Sequence, residues 1–235
     1  MTSLRYKAGA HGGPVIEIKI CGLRSPDALN AALAAGADLV GLVFFPPSPR
    51  HLSLEEGARL ASRARGRASV AALTVDADDE LLAALIEAVS PDLLQLHGRE
   101  TPARVTEIRR RFGRPVMKAV GVAEPGDLDA ARAYMGIADR LLLDAKPPRD
   151  ATQPGGNGLA FDWRLLAGLD LGGTVMLSGG LNAANVGQAI DVARPQGVDA
   201  SSGVESAPGV KDPHRIASFV AAAREAARKL EETAA

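Results

Sequence analysis

Eight short apolar runs, each followed by a stretch with helical signals, constrain the fold of this 235-residue chain more than any other feature. The runs are leucine-rich or β-branched and nearly continuous, as expected of strands buried on both faces of a parallel sheet. Their starts lie roughly 22 to 35 residues apart, the length of one strand–helix unit. We predict strands over residues 15–20, 39–44, 69–75, 93–96, 116–120, 140–143, 174–177 and 197–200.

The segments between the runs carry start and stop signals of α-helices. The Ser-Pro-Asp sequence at 25–27 provides an N-cap, a proline in the first turn and an acid, and Gly36 is placed to end that helix. Residues 53–56 fit a capping box. We predict that Asn182 and the Asp-Pro pair at 212–213 open the last two helices.

Eight such units leave two main architectures, a closed barrel and an open doubly wound sheet. The glycine-rich nucleotide fingerprint of many open sheets is missing, because Cys-Gly-Leu-Arg at 21–24 follows the first run. A (β/α)8 barrel uses about 250 residues, which favours closure. We therefore predict the α/β class with a single (β/α)8 TIM barrel over residues 15–235, preceded by an N-terminal extension, 1–14. We expect the glycine-rich loop at 154–158 to be a mobile connection within this domain.

Composition argues against several partners and compartments. With 27 Lys and Arg against 28 Asp and Glu, the net charge is −1, so we expect no nucleic-acid partner and no membrane surface. No apolar run approaches the roughly 20 residues of a membrane-spanning helix. The first fourteen residues contain no apolar run typical of a signal peptide, so we expect no secretory signal, and the single cysteine cannot form an internal disulfide. We expect a cytoplasmic protein.

A parallel barrel collects the C-terminal ends of all its strands on one face, where active sites are built. The polar residues that follow the predicted strands are therefore expected to be neighbours in space. They are Cys21, Arg50, Asp76, His97, Asp144, Ser178-Gly179-Gly180 and Ser201-Ser202-Gly203. The set combines a possible acid, a possible base and anion binders, as a reaction on an anionic sugar phosphate requires.

Two glycine-containing loops predict where phosphate binds. Gly179 and Gly180 follow the seventh strand and Ser202 and Gly203 follow the eighth, the position of the phosphate site in many such barrels. Neither loop contains Lys or Arg, so main-chain N–H groups at loop and helix starts are the expected donors. Each loop alone is equally well explained as a tight turn, but the two together favour phosphate.

Cys21 and Asp144 are the candidates for proton transfer. A lone cysteine is most often a small buried hydrophobe, but a thiol takes a proton near neutral pH where its surroundings favour the thiolate. Asp144 ends a run of three leucines, and apolar neighbours favour the protonated form that a general acid needs. Lys146 would favour the carboxylate if it lies close, and an Asp144 that only caps a loop or pairs with Lys146 is the alternative.

Arg50 and His97 are candidate substrate-binding residues. Arg50 follows a stretch stiffened by three prolines, and a restrained guanidinium suits two-point recognition of a carboxylate, although a solvated arginine is equally consistent. His97 is either an anion binder or a structural histidine. The four histidines lack zinc-ligand spacing and neither HExxH nor CxxC occurs, so we expect no metal.

Seven short motifs occur in order between about residue 16 and the last helix. They are KICGL at 19–23, FPPSPR at 45–50, LQLHG at 94–98, LLD at 142–144, GGNGLAFDW at 155–163, SGGL at 178–181 and DASSGVE at 199–205. Together they resemble the phosphoribosylanthranilate isomerase family of tryptophan biosynthesis.

This resemblance implies a (β/α)8 barrel that needs no cofactor and takes one small phosphorylated substrate, N-(5-phosphoribosyl)anthranilate. We expect the protein to be a monomer or a homodimer. Carried over by position, it implies that Cys21 is the general base, Asp144 the general acid and Arg50 the group that holds the anthranilate carboxylate. Asp144 would protonate the furanose ring oxygen and open the ring to a Schiff base. Cys21 would then remove the proton from sugar C2, giving an enolamine that tautomerises to the ketone.

Three other functions stay open on the sequence. A histidine-pathway sugar-phosphate isomerase performs the same chemistry with two aspartates, and Cys21 at the first strand end argues against it. A metal-dependent epimerase would need converging His and Asp ligands. A barrel that binds a phosphorylated ligand without converting it is disfavoured by the presence of both Cys21 and Asp144.

Overall fold

The computed structural model describes residues 16–146, 160–168, 171 and 173–234. Eight parallel strands close into a barrel in chain order, with β1 hydrogen-bonded to β8. The strands are β1 (Glu17–Cys21), β2 (Leu39–Val43), β3 (Ser69–Thr74), β4 (Leu93–Leu96), β5 (Val116–Val122), β6 (Arg140–Ala145), β7 (Thr174–Leu177) and β8 (Gly197–Ala200). The predicted (β/α)8 TIM barrel is confirmed.

The predicted strands all exist, but several of their ends are displaced. Cys21 is the last residue of β1 and Asp144 lies inside β6, so neither follows its strand as predicted. The predicted β2 and β3 are each one residue too long, whereas β5 extends to Val122. Ladder pairing such as Gly121 with Asp144 continues past the apolar run. The sheet itself therefore fixes the backbone of both proton-transfer candidates.

The described ranges contain seven α-helices that pack outside the barrel. They are α1 (Pro26–Ala35), α2 (Leu54–Ala64), α3 (Asp79–Val89), α4 (Pro102–Phe112), α5 (Asp127–Arg132), α6 (Val186–Ala193) and α7 (Pro213–Ala234). Short-range sequence signals placed most of the predicted starts correctly.

Side-chain caps explain where three of these helices begin. Ser25 accepts a hydrogen bond at the start of α1, Ser53 takes part in a full capping box on α2, and Asp212 accepts from two backbone N–H groups of α7. The prediction for Asn182 is wrong. Its N–H donates to Asn185 Oδ1 in a turn, and α6 begins only after Asn185.

Buried apolar side chains form three clusters, and the two larger ones lie on either side of the sheet. The larger core lies between the outer face of the sheet and the helices. A smaller cluster fills the inside of the barrel and consists of Leu39, Ala71, Leu93, Met117, Ala119, Leu142 and Met176. This inner cluster closes the barrel, so a ligand can enter only at one end of it.

Shorter elements complete the C-terminal half. A hairpin of β9 (Glu205–Ala207) and β10 (Val210–Lys211) lies between β8 and α7, and 3-10 helices span Trp163–Leu166 and Ser202–Val204. None of the described helices combines the length and the apolar character needed to cross a membrane. The predicted extension 1–14 and the loop at 154–158 lie outside the described residues.

Leu142→Ala should test the importance of the inner cluster. Leu142 is fully buried, so the truncation leaves a cavity and should lower the free energy of unfolding by about 2 to 5 kcal/mol in urea denaturation. Leu81→Ala on α3 is the matched control, because Leu81 is 36% exposed and should change stability by less than about 0.5 kcal/mol. Equal losses in the two variants would contradict the packing described.

Candidate active site

One pocket at the C-terminal mouth of the barrel is lined by all eight site residues predicted from the sequence. It encloses about 730 Å³, including space open to solvent. The eight are Cys21, Arg50, His97, Asp144, Gly179, Gly180, Ser202 and Gly203. Asp76 does not line the pocket, because its carboxylate turns away and accepts the N–H of Arg99 at 2.6 Å. Residues from opposite ends of the chain thus share one cavity.

Cys21 lies at the base of this pocket beside a buried ion pair. The residue is 4% exposed. Lys19 Nζ lies 2.8 Å from Asp199 Oδ1, and Ser178 Oγ donates to Asp199 Oδ2 at 3.1 Å. Burial raises the pKa of the Cys21 thiol above its ordinary value, and the Lys19 ammonium opposes that rise. Burial and the Lys19 charge therefore act on the pKa of the thiol in opposite directions, and burial has the larger effect.

Asp144 is held in place by its own backbone and by a histidine. One carboxylate oxygen accepts the next residue's N–H at 2.9 Å, and the other lies 3.3 Å from His97 Nε2. Gln95 Nε2 lies 3.2 Å from His97 Nδ1. With the amide as donor, Nδ1 accepts and the ring proton lies on Nε2, directed at Asp144. The alternative in which Asp144 pairs with Lys146 is wrong, because Lys146 Nζ bonds Asp127 at 2.7 Å.

Arg50 is fixed by a carboxylate of the β9–β10 hairpin. Its Nε and Nη2 donate to the two oxygens of Glu205, each at 2.8 Å, and both side chains are almost fully buried. Lys211 Nζ donates to the same carboxylate at 2.6 Å. Burial alone would raise the pKa of Glu205, but the hydrogen bond from Arg50 and the charge of Lys211 hold it below 4.5. Burial lowers the pKa of Lys211 and Glu205 opposes that fall, so the positive charge of this wall comes first from Arg50.

The loops after β7 and β8 form the adjoining part of the pocket, where Lys211 Nζ also donates to the Ser201 carbonyl at 3.0 Å. Gly179 and Gly180 have φ angles of 87° and 62°, a region that favours glycine, and Asn185 Nδ2 holds the Gly180 carbonyl at 3.0 Å. A Cβ atom on Gly203 would overlap the carbonyl oxygen of Leu181, so the two loops pack closely only with glycine there. Among the described residues, no acceptor bonds the N–H of Gly179 or Gly180.

Helix geometry at these loops differs from the prediction. The Gly179–Gly180 turn does not lead directly into a helix, since α6 begins at Val186, whereas Ser202 opens a short 3-10 helix. The N–H groups of the first loop are thus supplied by a left-handed turn rather than by a helix start.

Comparison with known proteins assigns the family. The family model described as N-(5′-phosphoribosyl)anthranilate (PRA) isomerase matches residues 18–222. The chain belongs to the PRA isomerase family. A family member from Nitrobacter winogradskyi named N-(5′-phosphoribosyl)anthranilate isomerase is 58% identical over 215 residues, which are 92% of this chain and 96% of that protein.

Solved structures of PRA isomerases share the fold. A crystal structure of phosphoribosyl anthranilate isomerase in complex with reduced 1-(o-carboxyphenylamino)-1-deoxyribulose 5-phosphate has a TM-score of 0.79 and 34% identity. A structure of monomers generated from the dimeric enzyme of Thermotoga maritima has a TM-score of 0.78 and 34% identity. Each comparison covers 89% of this chain and 99% of the other.

Family membership separates the chain from the rival families considered on the sequence. The match to PRA isomerases argues against both rivals, the histidine-pathway isomerase and the metal-dependent epimerase. In the described ranges, no three His, Cys, Asp or Glu side chains are grouped so that they could hold a metal ion.

Sequence reasoning missed the charged residues that support the site. Lys19, Asp199, Glu205 and Lys211 are all buried, and none was predicted to belong to the pocket region. A lysine inside the apolar run of β1 was a visible signal, because a buried lysine requires a partner. The pairing of Arg50 with Glu205 had no such local signal, since 155 residues separate them.

Glu205→Gln should destabilise the protein in a pH-dependent manner. Glu205→Gln removes the buried carboxylate charge to which both Arg50 and Lys211 donate, which should cost about 3 to 5 kcal/mol of unfolding free energy. Because the pKa of Glu205 is lowered in the folded state, the contribution is full above pH 4.5 and is lost as the pH falls further. Urea denaturation between pH 7 and pH 3 should show that the difference in unfolding free energy between the variant and wild type becomes smaller as the pH falls.

Glu55→Gln is the control for this measurement. Glu55 is exposed on α2 and pairs with Arg59 at the surface. It should behave like wild type throughout the series. If Glu205→Gln lowers the unfolding free energy by the same amount at every pH, the result would contradict the ionic role of Glu205.

Proposed function

We propose that this chain catalyses the Amadori rearrangement of N-(5-phosphoribosyl)anthranilate to 1-(2-carboxyphenylamino)-1-deoxyribulose 5-phosphate, a step of tryptophan biosynthesis. One observation carries the proposal beyond family membership. A thiol, Cys21, and a carboxylate, Asp144, from different strands line the same pocket as two loops suited to phosphate. The pocket thus combines a candidate base and acid with an anion site, as this reaction requires.

The phosphate group binds to the loops after β7 and β8. The N–H groups of Gly179 and Gly180 have no acceptor among the described residues, and Ser202 and Gly203 line the same end of the pocket. Oriented main-chain N–H groups favour a dianion without a cationic side chain. A relative of this chain has been crystallised with a phosphorylated ligand, reduced 1-(o-carboxyphenylamino)-1-deoxyribulose 5-phosphate.

The anthranilate carboxylate binds near Arg50. Glu205 occupies the Nε–Nη2 edge of Arg50, so the substrate does not replace that bidentate contact. Instead Glu205 fixes the guanidinium plane, and the combined charge of Arg50 and Lys211 attracts the carboxylate from the open side of the pocket. The substrate then lies with its two anionic ends at different walls.

Proton transfer begins at Asp144. Its protonated carboxyl delivers the proton to the furanose ring oxygen, the bond from C1 to that oxygen breaks, and the amine lone pair forms a C1–N Schiff base. The Cys21 thiolate then takes the proton from C2, and the bonding pair moves to give the enolamine. The enolamine gains a proton at C1 and loses one from the C2 hydroxyl, which yields the ketone. Exchange with solvent restores both groups.

His97 and Gln95 let Asp144 hold a proton or release it. Gln95 Oε1 is buried and accepts no hydrogen bond from any described residue. If the amide turns over, this oxygen accepts a proton carried on His97 Nδ1, and His97 Nε2 accepts from a protonated Asp144. Both protonation states of Asp144 then have a hydrogen-bonded arrangement, as the acid step requires.

We also propose, with the family, that the chain acts in the cytoplasm as a monomer or homodimer and needs neither cofactor nor metal. Every step above is a proton transfer that the chain's own side chains can perform. A relative from Thermotoga maritima is described as dimeric, with monomers generated from it.

Gly180→Val should weaken substrate binding. The new side chain would occupy the place of the phosphate and strain a backbone with φ of 62°, so KM should rise about tenfold or more, the effect of losing one charge-assisted hydrogen bond. Gly113→Val is a matched control, since Gly113 has φ of 61° but lies at the end of α4 with open space around it. Steady-state kinetics with an unchanged KM for Gly180→Val would argue against this phosphate site.

Cys21→Ala and Asp144→Asn should each remove one proton-transfer step. We expect kcat for N-(5-phosphoribosyl)anthranilate to fall at least about 100-fold in each, with KM much less affected. Cys21→Ser should also be poor, because an alcohol is a far weaker base than a thiol. The wild-type pH profile of kcat/KM should be bell-shaped with one limb for each group.

Asp76→Asn is the control for the acid and base variants, because Asp76 follows β3 but lies outside the pocket. It should keep near-normal kcat. If Cys21→Ala instead retains near-normal kcat, the thiol only packs, and Asp199, the other carboxylate of the pocket, becomes the candidate base.

A further inference from the structure

Lys19 is a charged side chain in the solvent-excluded interior of the barrel. It is fully buried inside the barrel, among the largest side chains to be so. An ion at such a place costs several kcal/mol of desolvation, and an apolar residue of similar volume would fill the space at lower cost. Lys19 does not line the pocket, so packing and substrate contact both fail to explain its charge.

Asp199 compensates this charge from the neighbouring strand. Lys19 and Asp199 are register partners across β1 and β8, and their side chains meet at 2.8 Å. The second carboxylate oxygen of Asp199 accepts the hydroxyl of Ser178 at 3.1 Å. Asp199 is therefore held by two partners, and its position relative to Lys19 is fixed.

The same ammonium group interacts with the Cys21 thiol. Cys21 follows Lys19 by two residues on β1, so both side chains point into the barrel, and both are buried there. The ammonium charge therefore acts on the sulfur through the barrel interior, where it opposes the rise in the pKa of the thiol that burial causes. The other charges that face the thiol are Asp199, Arg50 and Lys211. Arg50 and Lys211 both donate to Glu205, whose carboxylate offsets part of their charge, and Lys19 is the cation on the same strand as the thiol.

We propose that Lys19 and Asp199 are positioning residues that together set the thiolate fraction of Cys21. Lys19 stabilises the thiolate, and Asp199 opposes it by neutralising part of the lysine charge. This inference rests on the proposed role of Cys21 as the base.

The physical directions of the two effects are opposite. Burial raises the pKa of the Cys21 thiol, Lys19 lowers it, and Asp199 raises it again. An opposite charge in contact typically moves a pKa by about 1 to 3. Removing the lysine charge should therefore raise the pKa of the thiol, whereas removing the aspartate charge should lower it. A purely structural pair would move it in neither direction.

Titration of the thiolate by ultraviolet absorbance measures this directly. Cys21 is the chain's single cysteine, so Cys21→Ser provides the blank for tyrosine ionisation. Lys19→Met should shift the midpoint upward by about 1 to 3 pH units, and Asp199→Asn should shift it downward. Asp199→Asn keeps the size of the side chain; its amide oxygen can accept from Lys19 while its NH2 group donates to Ser178 Oγ, so it tests the idea even if Lys19→Met does not fold.

Lys118→Met is the matched control. Lys118 is a buried lysine paired with Glu100 at 2.8 Å, but it contacts the 96–100 segment rather than the thiol. Its loss should leave the midpoint unchanged. Shifts of the same sign in Lys19→Met and Asp199→Asn, or an unmoved midpoint in Asp199→Asn, would overturn the proposal.

The pH profile of kcat/KM separates this inference from the proposed function. If Cys21 is the base, the acidic limb should follow the titration, to higher pH in Lys19→Met and to lower pH in Asp199→Asn. If the midpoints shift as expected but the limb does not follow, the tuning of the thiol stands and the assignment of Cys21 as base fails. If Cys21→Ala is inactive but the midpoints do not shift, the assignment of Cys21 as base stands and the tuning of the thiol by Lys19 and Asp199 fails.

Discussion

The pairing of β1 with β8 is the constraint on which the rest of the site depends. Hydrogen bonds between these strands join parts of the chain about 180 residues apart and close the barrel. Closure places Lys19 opposite Asp199 and sets Cys21 beside the loops that follow β7 and β8. Each of these neighbours is too far away in sequence to be held by local structure. The candidate acid and base and the proposed phosphate loops therefore share a pocket only because the last strand returns to the first.

Buried charged residues are concentrated around this pocket, and their desolvation cost suggests that they serve the site rather than stability. The Lys19–Asp199 pair lies below the thiol, and Glu205 lies between Arg50 and Lys211 at the pocket wall. Replacing such pairs by apolar residues is often neutral or stabilising, so they contribute little that packing could not supply. What they supply is a fixed electrostatic environment that needs no rearrangement when charge develops during a reaction. The two groups differ in effect, because one is balanced and the other has an excess of positive charge.

The fold and the pocket residues could be predicted from sequence because their signals are local. Apolar runs predicted all eight strands, and Ser25 and Ser53 marked helix starts through bonds within one turn. Strand ends were less predictable, because the ladder pairing that keeps Asp144 inside β6 comes from β5 rather than from β6 itself. The helix start predicted at Asn182 was wrong for a related reason, since its side chain accepts the N–H of Ala184 within a turn that precedes the helix. The partner of Arg50 was hidden because only the closed barrel brings Glu205 to it.

The two proposed anion sites of the pocket would attract their ligands by different interactions, and this difference gives the proposed substrate a direction. At the β7 and β8 loops the donors are main-chain N–H groups, whose orientation is fixed by left-handed glycines and by Asn185. At the second proposed site the attraction would come from Arg50, a cation held in place by Glu205. A phosphate accepts several short bonds in the compact glycine turn, whereas a planar carboxylate suits a guanidinium. With the ends of the substrate assigned in this way, the sugar carbons lie between them, where Cys21 and Asp144 line the pocket.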